Sequence, residues 1–248
     1  MEAIMQGWLS VWLYVMVAIG VVLGGLVWKN RKTWSALNIL CTLVIIVLIL
    51  HVIEEWVLPG GLHYSYNIAH GSTLLSRYPM NRLTDMITNF GAVVVGCVVL
   101  NVWGFRKPAG IAMMLFSVFE VVIHISIGIQ DMQIFSAYGM NTLYSPGLIT
   151  SLFGFLPVCV GLAIHLFKAK ENRPKPVQWI MAIAATAVLG FLLINLPEAT
   201  LGKVDRPYEF TNRGYYEQFG EQYEQDNGYE YFVPGTVKEE QQMKNGAR

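Results

Sequence analysis

The stretch LNILCTLVIIVLILHVIEEWVL, Leu37 to Leu58, decides the fold. From Leu37 to Leu50 it holds no charge, and Asn38 and Thr42 are its main polar breaks. It then places His51, Glu54 and Glu55 within two helical turns. A helix crosses the hydrocarbon layer in about 20 residues, so this stretch reads as a span. An ionised group inside a span costs about 2.5 to 3.5 kcal/mol. His51, Glu54 and Glu55 therefore need partners, an ion or water.

Working outward, five more blocks meet the same criterion: Trp8 to Trp28, Ile87 to Phe105, Ala109 to Ile129, Leu148 to Phe167, and Val177 to Leu196. Hydrophobic residues make up 54% of the 248, and only 14% are charged, which places the chain among integral membrane proteins. The predicted fold is all-α: a polytopic membrane protein with a six-transmembrane-helix bundle over residues 1–197. A polar, Tyr/Glu-rich and largely irregular C-terminal tail follows over residues 198–248. The amino terminus lacks the basic region of a secretory signal peptide, so its apolar run reads as a retained first span.

Direction follows from the short loops. Lys29, Arg31 and Lys32, then Arg106 and Lys107, then Lys168, Lys170, Arg173 and Lys175 fall in alternate loops, whereas the opposite loops hold only Arg77 and Arg82. Basic residues stay on the cytoplasmic side. Both termini are thus expected to be extracytoplasmic, in a multi-pass protein of the cell membrane. Seventeen basic and seventeen acidic residues cancel, which argues against nucleic acid as a partner. Cys41, Cys97 and Cys159 lie apart inside apolar blocks and read as small hydrophobes. Trp8, Trp28, Trp34, Trp56 and Trp179 read as interfacial anchors.

The polar residues inside the spans gather at one depth. His51 with Glu55, Asp85 with Asn89, and Glu120 with His124 are each spaced i, i+4, so each pair shares a helix face. Ser117, Glu120, His124 and Gly128 form a stripe along one span, with Asp131 just beyond it. By the orientation above, all of them lie in the outer half, and the inner half has no comparable carboxylate. The fifth span opens with YSPGLIT, in which Pro146 suits a first helical turn and Tyr144 and Thr150 sit at the same level. Pro157 is expected to kink that helix. Gly60 to Leu83 reads as a partly helical interfacial segment able to serve as a lid, and its His63 and His70 read as surface residues.

The segments HVIEE (51–55), FEVVIH (119–124) and YSPGLIT (144–150) together resemble the HXXEE-motif family of integral membrane proteins, over about Leu50 to Pro157. The resemblance implies a polar site around His51, Glu54 and Glu55, with Glu120 and His124 as companions. It implies no reaction.

Two histidines and several carboxylates on adjacent helices suit zinc or another divalent metal, mono- or dinuclear. The expected ligands are His51, Glu55, Glu120 and His124. Glu54 is the expected general base, Asp85 or Asn89 orients a ligand or the water, and Tyr144 and Thr150 are candidate substrate contacts. An outer-leaflet site would take a lipid or another amphiphile, and hydrolysis or group transfer is the natural chemistry. Five scattered histidines fit poorly with an oxygen-dependent lipid hydroxylase. A proton-coupled carrier or ligand-binding membrane protein is the alternative, although a relay should continue into the inner half. A structural or partner protein, with these groups acting as interhelical glue, is the third. The tail, where Tyr-Glu-Gln recurs at Tyr216 and Tyr223, is read as solvated, with a possible partner outside the membrane.

Overall fold

The computed structural model describes residues 2–168, 170, 173–202, 208–229 and 231. Helix follows helix, and no strand occurs among the described residues. Six helices are long and apolar enough to cross a membrane: α1 (Glu2–Asn30), α2 (Ala36–Trp56), α4 (Arg82–Val102), α5 (Lys107–Phe135), α6 (Leu148–Phe167) and α7 (Pro176–Leu201). Two shorter helices, α3 (Leu62–Ala69) and α8 (Glu217–Asn227), lie outside the spans. All six predicted spans are present. α4 begins several residues before its apolar block, because Asn81 caps it: its side chain accepts from the Leu83 and Thr84 amides while Thr84 Oγ1 accepts from the Asn81 amide. α5 runs past its apolar block and takes in Asp131.

α2 is the hub, packed against α1, α4, α5 and α6. Its apolar residues Cys41, Val44, Ile45, Leu48, Ile49 and Val52 are buried. α7 crosses the outside of the bundle obliquely, its first half on α5 and its second half on α4. Prolines shape the last two spans. Pro197 has no amide proton, so the Leu193 carbonyl four residues earlier loses its helical donor and the turn Phe191–Asn195 opens to π geometry. Thr88 Oγ1 of α4 fills the gap, donating to Leu193 O at 2.6 Å. In α6 the turn Ser151–Phe155, just before Pro157, is also π-helical, which is the form the expected distortion takes.

The tail departs most from expectation. Instead of lying solvated, its described residues cap the end of the bundle where α2 and α5 finish. Tyr216, Phe219, Gly220 and Glu224 are buried and Tyr223 half-buried, at i, i+3, i+4, i+7 and i+8 spacing, so α8 is amphipathic despite its Glu and Gln content. Tyr216 and Tyr223, two turns apart, both pack on the Phe135 ring at the end of α5, with centroids 5.3 and 5.2 Å away. Backbones also touch. A Cβ on Gly61 would fall 2.2 Å from Arg213 O, and one on Gly214 would fall 2.3 Å from Gly60 C, while the Tyr215 amide donates to Gly60 O at 2.9 Å. Ion pairs pin the tail: Arg77 to Glu209, both buried, and Arg213 Nη2 to Glu224 at 2.7 Å. The Gly60 to Leu83 segment, with α3 at its start, is thereby clamped between the spans and the tail.

Candidate metal centre

The two i, i+4 pairs on α2 and α5 meet. α2 and α5 are separated by one crossing, α4, so they run the same way through the bundle. Their motifs read in opposite order, His51 then Glu55 on α2 and Glu120 then His124 on α5. Each histidine is therefore level with the other helix's glutamate. A closed ring of alternating groups results. His51 Nε2 lies 3.0 Å from Glu55 Oε1 and 3.4 Å from Glu120 Oε2, and His124 Nε2 lies 3.3 Å from Glu55 Oε1 and 3.6 Å from Glu120 Oε2. The two imidazole rings meet edge to face, 4.6 Å between centroids.

These separations suit a cation. Ligand atoms about 2.0 to 2.1 Å from a tetrahedral ion sit about 3.3 Å from one another, which the four N–O separations bracket. Single ligand atoms from His51, Glu120 and His124 all lie within 4.8 Å of one another. Yet His51 Nε2, although 3.0 Å from a carboxylate oxygen, is not aligned to donate to it and has no hydrogen-bond partner, and neither has His124 Nδ1. His51 Nε2 is thus close to two carboxylate oxygens without an aligned hydrogen bond to either. The side chains of His51, Glu55 and His124 are at most 6% exposed, whereas Glu120 is 14% exposed and forms the accessible edge.

Two features build the walls. Phe155 packs edge-on against the His51 ring, 5.2 Å between centroids. Gly147, which precedes α6 and has φ +96°, covers both imidazoles so closely that a Cβ there would fall 2.3 Å from His124 Cε1 and 2.7 Å from His51 Cε1. Only glycine combines that backbone with that proximity. Nothing in the spacing of YSPGLIT distinguishes this glycine from an ordinary turn residue, so its contact with the site is new.

Other predicted residues lie beside the ring. Glu54, the expected base, faces α6: Oε1 accepts from the Tyr144 hydroxyl and the Ile149 amide, both at 3.1 Å, and Oε2 from the Thr150 amide at 2.8 Å and Thr150 Oγ1 at 2.6 Å. Both candidate substrate contacts, Tyr144 and Thr150, are thus bonded to Glu54, and Thr150 Oγ1 also lies 2.8 Å from His51 Nδ1. Asp85 accepts from Trp56 Nε1 and, at 2.6 Å, from Asn89 Nδ2. Neither Asp85 nor Asn89 hydrogen-bonds to the ring, and Trp56, expected as an interfacial anchor, is engaged with Asp85. α4 and α5 pack on different sides of α2, which separates residues of similar depth. Asp131 belongs to the cap, accepting from the buried Ser65 and Tyr216 hydroxyls. His63, expected at the surface, is buried, stacked 3.7 Å from Phe210, with Nε2 3.1 Å from the Tyr231 hydroxyl. Burial without an anion holds its pKa down at about 3. His70 Nδ1 lies 2.8 Å from Tyr66 O of its own helix.

No curated protein and no solved structure matches the chain. Residues 42–162, which contain most of α2, α3, α4, α5, Gly147 and most of α6 with Thr150, match the family model described as "Protein of unknown function with HXXEE motif". The matched region carries all four ring residues, and over residues 42–162 the chain is similar to this HXXEE-motif family.

Proposed function

We propose that His51, Glu120 and His124 of the ring bind a divalent metal, zinc by their ligand chemistry, with Glu55 beside them, and that the protein is a membrane-embedded metal-dependent hydrolase or group transferase. One observation carries this reading: a buried imidazole nitrogen without a hydrogen bond stands 3.0 and 3.4 Å from two carboxylate oxygens. A cation accounts for all three at once.

His51, Glu120 and His124 would hold the ion. Glu55, whose Oε1 is within 3.3 Å of both imidazole Nε2 atoms, lies beside these ligands and would act as the base. Glu54 is not available for this role because four donors occupy its oxygens. A divalent ion held there would supply an acidified water and polarise the bond under attack. Glu55 would take the proton of the water that attacks an acyl or phosphoryl centre and pass it to the departing oxygen. The substrate is an amphiphile that reaches the Glu120 edge from the outer leaflet. The basic loops support that placement, with both termini on the extracytoplasmic side of the cell membrane.

Elemental analysis of protein purified in mild detergent tests the metal. The expected result is about one divalent ion per chain, lost in His51→Ala and Glu120→Ala; a metal-free wild type refutes the reading. Release of product from ester or phosphoester amphiphiles, abolished in a Glu55→Gln variant that keeps its metal, tests the chemistry.

A further inference from the structure

His51 is held from behind by a short chain of hydrogen bonds that ends on a carboxylate. Four donors and no acceptor surround the Glu54 carboxylate, so it serves as acceptor only. Two of those donors are backbone amides at the start of α6, a helix end that favours negative charge. The Thr150 hydroxyl has one proton. At 2.6 Å the proton goes to Glu54 Oε2, a charge-assisted bond shorter than the 3.1 Å alternative to Gly147 O. Thr150 Oγ1 must then accept from its remaining neighbour, His51 Nδ1, at 2.8 Å. A neutral imidazole protonated at Nδ1 carries its lone pair on Nε2. That is the atom facing Glu55 and Glu120. His124 has no such support, because its Nδ1 lacks any partner.

We infer that Thr150 and Glu54 are positioning residues that fix the proton of His51 on Nδ1 and its ring orientation, so that Nε2 is presented bare to the ion. The inference rests on the metal reading and deepens it. It replaces two roles suggested by position alone, a base for Glu54 and a substrate contact for Thr150. The arrangement is a carboxylate–histidine pair of the kind that orients metal-bound imidazoles, with a hydroxyl inserted between the two. It also gives the α6 opening a purpose: the amides of Ile149 and Thr150 hold Glu54, and Thr150 in turn holds His51. Removing such support lowers metal affinity by about 10- to 100-fold in known metal sites.

The test uses full-length protein in detergent, stripped and titrated with Co²⁺ and Zn²⁺, comparing wild type with Thr150→Val and Thr150→Ser. Thr150→Val keeps the shape of the side chain and removes its hydroxyl. It should bind about 10- to 100-fold more weakly and alter the visible spectrum of bound Co²⁺, while Thr150→Ser should restore both. Unchanged affinity and spectrum in Thr150→Val overturn the inference, as does weakened binding that Thr150→Ser does not rescue. A second measurement does not need metal: ¹⁵N–¹H correlation on histidine-labelled, metal-free protein, with His51 assigned by substitution. The wild type should show His51 protonated on Nδ1 and bare on Nε2, and Thr150→Val should lose that preference. A proton on Nε2 in the wild type overturns the positioning role. If His51 has the expected tautomer but Co²⁺ and Zn²⁺ do not bind, the metal reading fails and the positioning role stands.

Discussion

Gly147→Ala should empty the metal site without needing to unfold the protein. The added Cβ would lie 2.3 Å from His124 Cε1, and ordinary contact begins near 3.4 Å, so ring or loop must move by about 1.1 Å. The obstacles are imidazole atoms wedged in place, His51 against Thr150 and Phe155 and His124 against two glutamates, and they have nowhere to swing. Metal–ligand distances tolerate only about 0.2 Å, so a shift of that size breaks the ring. Stability should fall as well. An alanine at φ +96° costs about 1 to 2 kcal/mol, and overpacking adds about 1 to 3 kcal/mol. Gly139 supplies an internal control, since its φ is +97° and a Cβ there would meet nothing within 4 Å. Gly139→Ala carries the same backbone strain without the collision. The assay is paired: metal content by elemental analysis and thermal unfolding in detergent, for both variants. Loss of metal in Gly147→Ala with retention in Gly139→Ala is the expected result. Equal metal content in the two would refute the claim that Gly147 roofs the ring.

Three further outcomes follow from the same structure. Thr88→Val should destabilise the α4–α7 contact by about 1 to 3 kcal/mol, because it leaves the Leu193 carbonyl without a donor, and Pro197→Ala should recover part of that loss by restoring the helical amide; thermal unfolding of the single and double variants checks both. Arg213→Ala leaves the buried Glu224 carboxylate without its cation, with the Tyr64 hydroxyl still donating to it, and should cost about 3 kcal/mol, read as faster proteolysis of the tail while the spans stay intact. His63 has a folded pKa of about 3 against an ordinary 6.5, so the unfolded cap binds the extra proton between those values. Its contribution to stability is full above pH 6.5 and declines as the pH falls toward 3. His63→Phe should flatten the acid dependence of tail proteolysis across that window, and an unchanged profile would assign the dependence to other groups.

The spans were legible because a 20-residue apolar run has few alternatives. The ring was legible because two i, i+4 pairs in neighbouring spans point as units. Helical geometry also separated Glu54 from Glu55: about 100° apart on α2, one faces α6 and the other the ring. Depth, by contrast, does not specify a neighbour. Asp85 and Asn89 sit on α4, across α2 from α5, and no periodicity reveals on which side of a helix another will pack. The tail was hidden for a different reason. Its aromatic stripe at Tyr216, Phe219 and Tyr223 is helical, but Glu and Gln between the aromatic residues lower its mean hydropathy to that of a solvated segment, and its partner Phe135 is far away in sequence.

The opposed motif order on α2 and α5 has a mechanical consequence. Slide α5 outward by one turn, about 5.4 Å, and Glu120 comes level with Glu55, carboxylate against carboxylate. Slide it inward by one turn and His124 meets His51 while Gly128 arrives at Glu55. Only the observed register alternates donor and acceptor all the way round. The ring is a vernier between two helices, and a cation bound in it would also set their alignment.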